Sequence, residues 1–167
     1  MDPSTQSFLY NLFLTLHNIT RWLVVVFALL AIVRAFRGWT GKREWTRSDD
    51  RAGILFTSML DTQVLLGLIL YFLFSPTTPR LFANFGQAMS DPNARFFGLE
   101  HVFWMVLALV IAHVGRVISR KAQAAPANHR AAAISYGLAF LVVLAGIPWP
   151  FLINIGRPWL RLFGIIL

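Results

Sequence analysis

Ionisable side chains occur within long apolar stretches of this sequence, where each is a candidate for a functional role. Five lie in or near such stretches: His17, Arg21, Asp61, Glu100 and His101. An ionisable group inside a membrane-spanning segment is energetically costly, so it calls for a partner or a function. Two imidazoles that face each other across a helix bundle are the ligand arrangement of a bis-histidine haem b. His17 and His101 are the predicted axial ligands.

The overall composition is that of a membrane protein. Of the 167 residues, 57% are hydrophobic and 13% are charged, whereas soluble domains have about 45–50% and about 25%. A soluble domain of this size has too much surface for so few charges to cover. This excludes a soluble enzyme, a disordered tail and a nucleic-acid-binding protein, despite the net charge of +8. The absence of Cys excludes thiolate metal ligands, iron–sulfur clusters and covalently attached haem.

Four apolar stretches have the length of about 20 residues that a bilayer requires. They cover residues 13–33, 54–74, 97–116 and 132–149. Their Leu, Ala, Phe and Val content favours helices. The first stretch has no basic segment before it and no cleavage site after it, which predicts a retained span rather than a signal peptide. The predicted fold class is therefore all-α, a membrane-embedded four-helix up-down bundle that forms one transmembrane domain over residues 1–167.

Two segments outside the spans have distinct patterns. The connection from Ser75 to Arg95 contains three prolines and predicts a loop that covers the outer end of the bundle. The tail, residues 151–167, is apolar with Arg157 and Arg161 at i, i+4 spacing. It is too short and too interrupted for a fifth span, so we expect a C-terminal interfacial helix.

Basic residues indicate the orientation of the spans. Ten of the fifteen Lys and Arg residues lie in the two connections on one side of the bundle: Arg34, Arg37, Lys42, Arg43, Arg47, Arg51, Arg116, Arg120, Lys121 and Arg130. By the positive-inside rule these connections face the cytoplasm. We therefore expect a multi-pass protein of the bacterial inner membrane, with both termini outside and the bilayer as its first partner.

Depth and space favour the histidine pair. At 1.5 Å per residue, His17 and His101 both lie roughly 23–26 Å from the cytoplasmic ends of helices one and three, which are usually diagonal in such a bundle. Gly67 on helix two supplies room for a porphyrin, and Gln63 and Tyr71 share its face. The structural alternative is that the histidines hydrogen-bond across helices and that the small residues serve close helix packing.

Arg21 and Asp61 have a plainer explanation than catalysis. Their depths differ by ~4–5 Å, so we expect a salt bridge between helices one and two that offsets much of the burial cost. Glu100 and a haem propionate are the alternative partners of Arg21. Asp61 lies ~200° around the helix from Gln63 and should not share its face.

Other candidate chemistry is weaker. A second haem would require His113 to pair with His129, which follows a predicted loop and makes a poor fixed ligand. The sequence contains no Gly-rich phosphate loop, no His-Glu-x-x-His and no Gly-x-Ser-x-Gly. We therefore expect an electron-transfer or accessory subunit rather than a stand-alone enzyme.

Four segments carry a recognisable pattern. They are LHNITRW (16–22), QVLLGLILYF (63–72), FFGLEH (96–101) and IPWP (147–150). Together they resemble small four-helix bacterial membrane proteins labelled cytochrome b-like, over most of residues 16–150. The resemblance implies that His17 and His101 are haem ligands. Members tend to carry a histidine two places before the glutamine, where this chain has Asp61.

Two functional hypotheses follow. The first is a haem b-binding membrane electron-transfer subunit that exchanges electrons with quinol near the outer face, with Arg21 or loop arginines near the haem propionates. The second is a haem-free structural or accessory subunit of a larger respiratory or photosynthetic membrane complex, whose partners are other subunits.

Overall fold

Four long helices dominate the fold of this chain. A computed structural model describes residues 2–163 and 165–166. The long helices are α1 (Pro3–Thr40), α2 (Arg47–Ile69), α6 (His101–Lys121) and α7 (Ala125–Gly146). A π-helical turn, Leu70–Phe74, extends α2, and another, Phe96–Glu100, leads into α6. All four helical stretches are long and apolar enough to cross a membrane, which confirms the predicted set of apolar helices.

The packing order of the helices places α1 and α6 at opposite corners. Helix α1 packs against α2 and α7, and α6 packs against the same two helices. The core is rich in alanine, a small residue that allows helix backbones to approach closely. Its buried alanines are Ala28, Ala31, Ala35, Ala52, Ala108, Ala112, Ala132 and Ala139. The larger side chains Phe56 and Leu60 of α2 fill the space that the alanines leave.

Ion pairs join the ends of α1, α2 and α6. The Asp49 carboxylate accepts a hydrogen bond from the backbone N–H of Thr46 at 2.9 Å, which satisfies a free donor where α2 begins. Asp49 also pairs with Arg34 of α1 at 2.9 Å, and Asp50 pairs with Arg116 of α6 at 3.2 Å. These contacts fix the three helices relative to one another at the end that carries most of the basic residues.

The segment predicted as an outer loop contains three short helices. They are α3 (Thr77–Ala83), α4 (Phe85–Ser90) and α5 (Pro92–Arg95). Leu81, Ala88 and Ala94 form a small buried cluster between them. The Tyr71 hydroxyl donates a hydrogen bond to the Gly98 carbonyl at 2.8 Å and holds the segment's two ends together. The prolines mark starts of short helices here because proline is tolerated in a first helical turn.

The predicted interfacial helix over residues 151–167 requires correction. The described residues of this tail form turns and a short antiparallel pair of strands, β1 (Arg161–Leu162) and β2 (Ile165–Ile166). The Gly156 N–H bonds the Leu152 carbonyl at 2.9 Å, but Pro158 has no N–H to continue a helix. Side chains of α1 bind the tail carbonyls instead, as described below.

Gly115 provides a direct test of the α6–α7 packing. A Cβ atom there would overlap the Ser135 side chain of α7, whereas a Cβ at Gly137 meets nothing within 4 Å. We expect Gly115→Ala to lower the free energy of unfolding by about 1–3 kcal/mol, because overpacking forces the helices apart. Gly137→Ala is the matched control, and it should leave stability unchanged or raise it by up to about 1 kcal/mol. Thermal unfolding in detergent measures both. Equal midpoints for the two variants would contradict this packing.

Candidate functional site

A cavity of about 320 Å³ lies between α1, α2, α6, the end of α7 and the tail. Its size falls within the range of about 300–1,000 Å³ that is usual for small-molecule sites. All four residues predicted to bind a cofactor line it: His17 and Arg21 from α1, Gly67 from α2 and His101 from α6. The structure therefore brings the candidate site residues together around one space.

His17 is held from the α2 side. Its Nε2 lies 3.0 Å from the side-chain nitrogen of Gln63, and the Thr20 hydroxyl hydrogen-bonds to the Gln63 side-chain oxygen. Because Gln63 presents its N–H groups to the imidazole, Nε2 is the lone-pair nitrogen of the ring. His17 Nδ1 is buried and has no hydrogen-bond partner among the described residues. A Cβ at Gly67 would lie 3.2 Å from His17 Cε1, so glycine leaves room for the ring.

His101 is held from the α7 side. Its Nδ1 donates a hydrogen bond to the Gly146 carbonyl at 2.7 Å, which leaves Nε2 as the lone-pair nitrogen. The rings of Phe96 and Phe97 pack beside the imidazole at centroid distances of 5.8 Å and 6.2 Å. An imidazole whose second nitrogen donates to a backbone carbonyl is the usual arrangement of a metal-ligating histidine.

The two imidazoles are close neighbours in space. Their ring centroids are 6.3 Å apart and their planes are inclined by 68°. Two imidazole nitrogens that bind one metal, each at about 2 Å, put the ring centres roughly 6 Å apart. Within the described residues there is no group of three or more His, Cys, Asp or Glu side chains that holds a metal ion. A two-histidine site suits a metal whose other ligands come with it, as in a porphyrin.

The end of the cavity nearest the tail is cationic. Arg157 and Arg161 line it together with Arg21. The Nε atoms of Arg21 and Arg161 are buried without a hydrogen-bond partner in the described part of the chain. Burial lowers the pKa of the Arg157 guanidinium, and the neighbouring Arg161 lowers it further, but arginine remains protonated at neutral pH. Three guanidinium groups around one apolar space favour a ligand with acidic groups at this end.

Arg21 also holds the tail in place. Its Nη2 donates to the Pro158 carbonyl at 3.3 Å and to the Trp159 carbonyl. The indole N–H of Trp22 donates to the same Trp159 carbonyl at 2.9 Å. The backbone N–H of Phe163 donates to the Thr15 hydroxyl at 2.9 Å. Side chains of α1 thus satisfy tail carbonyls that lack helical partners.

The predicted Arg21–Asp61 salt bridge is wrong. Asp61 Oδ1 lies 2.7 Å from His113 Nε2 of α6, and Arg21 binds the tail. The cause is rotation about the helix axis: Gln63 faces α1, and Asp61, ~200° away, faces the α6 side. Glu100, the other protein group considered for Arg21, pairs with Arg95 at 2.8 Å.

The remaining histidines lie apart from the cavity. His113 contacts Asp61, and His129, in the first turns of α7 rather than after a loop, packs its ring against Gly38 and 4.8 Å from the Trp45 ring. The sequence reasoning assigned Arg157 and Arg161 to an interfacial helix and missed that they line the cavity. Their i, i+4 spacing suggested a helix, and no local signal indicates the fold-back of the tail.

Comparison of the chain with protein-family models, curated proteins and solved structures finds no match. The functional argument therefore depends on the geometry of the cavity.

Removing the Arg21 guanidinium tests the role of this residue in holding the tail. We expect Arg21→Met to raise the hydrogen-exchange rates of amides in residues 159–166 at least several-fold, because two tail carbonyls lose their donor. Arg37→Met, an exposed arginine on the same helix, is the control and should leave these rates unchanged. Mass-spectrometric hydrogen exchange in detergent measures both. Unchanged tail exchange in Arg21→Met would show that other contacts hold the segment.

Proposed function

We propose that this chain is a haem b-binding membrane electron-transfer subunit, with His17 and His101 as the axial ligands. One observation carries the proposal: the two imidazole rings stand 6.3 Å apart in one cavity, each with its Nε2 lone pair unprotonated. When bound, haem b would supply one-electron redox chemistry. The resemblance to cytochrome b-like proteins points the same way.

Each residue around the cavity has a defined task in this proposal. The Gly146 carbonyl orients His101, and Gln63, fixed by Thr20, orients His17. The Gln63 amide must release His17 Nε2 for that atom to bind iron. Gly67 keeps the space beside His17 free.

The arginines complete the proposed site. A haem b carries two propionates, and the cationic end of the cavity, formed by Arg21, Arg157 and Arg161, complements their charge. The unpartnered Nε atoms of Arg21 and Arg161 are donors that acidic groups would satisfy. Phe96 and Phe97 limit the access of water to His101. Low polarity and ligand identity together set the potential of a haem.

The proposal includes a membrane orientation. An up-down bundle is supported by contacts that run along α1 and α2 in opposite sequence order, from Arg34–Asp49 at one end to His17–Gln63 nearer the other. The concentration of Lys and Arg at the Arg34–Asp49 end supports a cytoplasmic location for it in a bacterial inner membrane. Both termini would then lie outside. The haem site would exchange electrons with quinol near the outer face.

A haem-free accessory subunit of a larger respiratory or photosynthetic complex is the second candidate. Asp61 and His113 support it, because their side chains are half exposed on the outside of the bundle, where lipid offers no hydrogen bonds. In this case His17 and His101 would serve only to join α2 and α7 to their neighbours.

A dithionite-reduced minus oxidised spectrum of protein purified after haem-supplemented expression separates the two candidates. We expect a single haem per chain by pyridine haemochrome, and its loss in both His17→Ala and His101→Ala. His113→Ala, which removes an imidazole outside the cavity, is the matched control and should retain haem. A flat spectrum from folded wild-type protein with ample haem would overturn the cytochrome proposal and leave the accessory subunit.

A further inference from the structure

Asp61 and His113 form a polar pair on the outer surface of the bundle. His113 Nε2 of α6 donates to Asp61 Oδ1 of α2 at 2.7 Å, and the two side chains are 47% and 49% exposed. Asp61 lies midway between Arg47 and Phe74, the ends of its span, so the pair sits at the level of the hydrocarbon core. It contacts neither the cavity nor the ion pairs at the basic end.

The pair has hydrogen-bonding capacity that the described residues do not use. The Asp61 carboxylate has a second acceptor oxygen, and His113 as an imidazolium has a second N–H donor. Lipid chains cannot satisfy either atom, and half-exposed ionisable groups at this depth are costly. A neighbouring protein surface with one donor and one acceptor at the same depth would satisfy both.

The surface around the pair is apolar and shallow. Exposed residues at helical spacing flank it on both helices: Ser58 and Leu65 on α2, and Val106, Val110 and Val117 on α6. We call this surface the α2–α6 face. The short valine side chains of α6 allow another helix to approach closely, as small residues do in membrane helix pairs.

We propose that the α2–α6 face is the contact surface between two copies of this chain, related by a two-fold axis along the membrane normal. Such an axis keeps every residue at its own depth, so Asp61 of each copy meets His113 of the other. The contact is isologous, because one patch carries both the acceptor and the donor that its symmetry mate requires. This charge complementarity favours a second copy over an unrelated helix. The inference does not depend on bound haem.

The absence of native cysteine permits a direct cross-linking test. Val110 is three residues before His113 on the same side of α6, so Val110→Cys places a thiol near the proposed axis. We expect a short thiol cross-linker to convert most of this variant into covalent dimer in native membranes. Leu141→Cys on α7 is the control: it is 64% exposed, and Gly115–Ser135 packing puts it at a similar depth. It should cross-link at least several-fold less.

Changes to the pair itself complete the test. In the Val110→Cys background, Asp61→Leu should lower the dimer yield several-fold, and the exchanged variant Asp61→His/His113→Asp should restore it. Equal cross-linking of Val110→Cys and Leu141→Cys would indicate random collision and overturn the proposal. So would cross-linking of Val110→Cys only to a different protein, or a monomeric mass for the wild-type chain in nanodiscs. Dimer yield that is insensitive to Asp61→Leu would also overturn it.

Discussion

Every polar group that lies within the hydrocarbon must find its partner inside the protein, and this constraint organises the structure. His101 uses the Gly146 carbonyl, which has no further helical donor where α7 ends. His17 uses Gln63, which Thr20 fixes in turn. Each bond satisfies one ring nitrogen and orients the ring toward the cavity. The facing arrangement of the imidazoles thus follows from the absence of water at this depth.

The same constraint explains what the cavity leaves unsatisfied. His17 Nδ1, Asn18 Oδ1 and the Nε atoms of Arg21 and Arg161 are buried without hydrogen-bond partners among the described residues. Elsewhere the bundle closes with small side chains that allow tight contact. Polar atoms without partners around an apolar space that three arginines line are features of a binding site. A ligand that is apolar, acidic at one end and able to accept imidazole nitrogens matches them, and haem b has all three properties.

The sequence predicted the parts of the fold that depend on length and helical rise. Span length follows from bilayer thickness, and the similar depths of His17 and His101 follow from a fixed rise of 1.5 Å per residue. Rotation about the axis was harder to use. The angle between Asp61 and Gln63 was known, but the direction of the salt bridge was judged from depth alone, and Asp61 pairs with His113 instead.

The tail shows a different limit. Local spacing of Arg157 and Arg161 favours a helix, but Arg21 and Trp22, which are more than 130 residues away in the chain, bind the Trp159 carbonyl and stabilise turns. Tertiary hydrogen bonds of this kind override local propensity. For the same reason the arginine-lined end of the cavity was not predictable from any single segment.

The ligand pair itself is the central claim, and electron paramagnetic resonance of the oxidised, purified protein tests it most directly. Two imidazole ligands hold ferric haem in the low-spin state. The account predicts a low-spin signal in the wild-type protein that is lost when either His17 or His101 is replaced. A high-spin signal from the wild-type protein, or a low-spin signal that survives both replacements, would show that these histidines are not the pair that holds the iron.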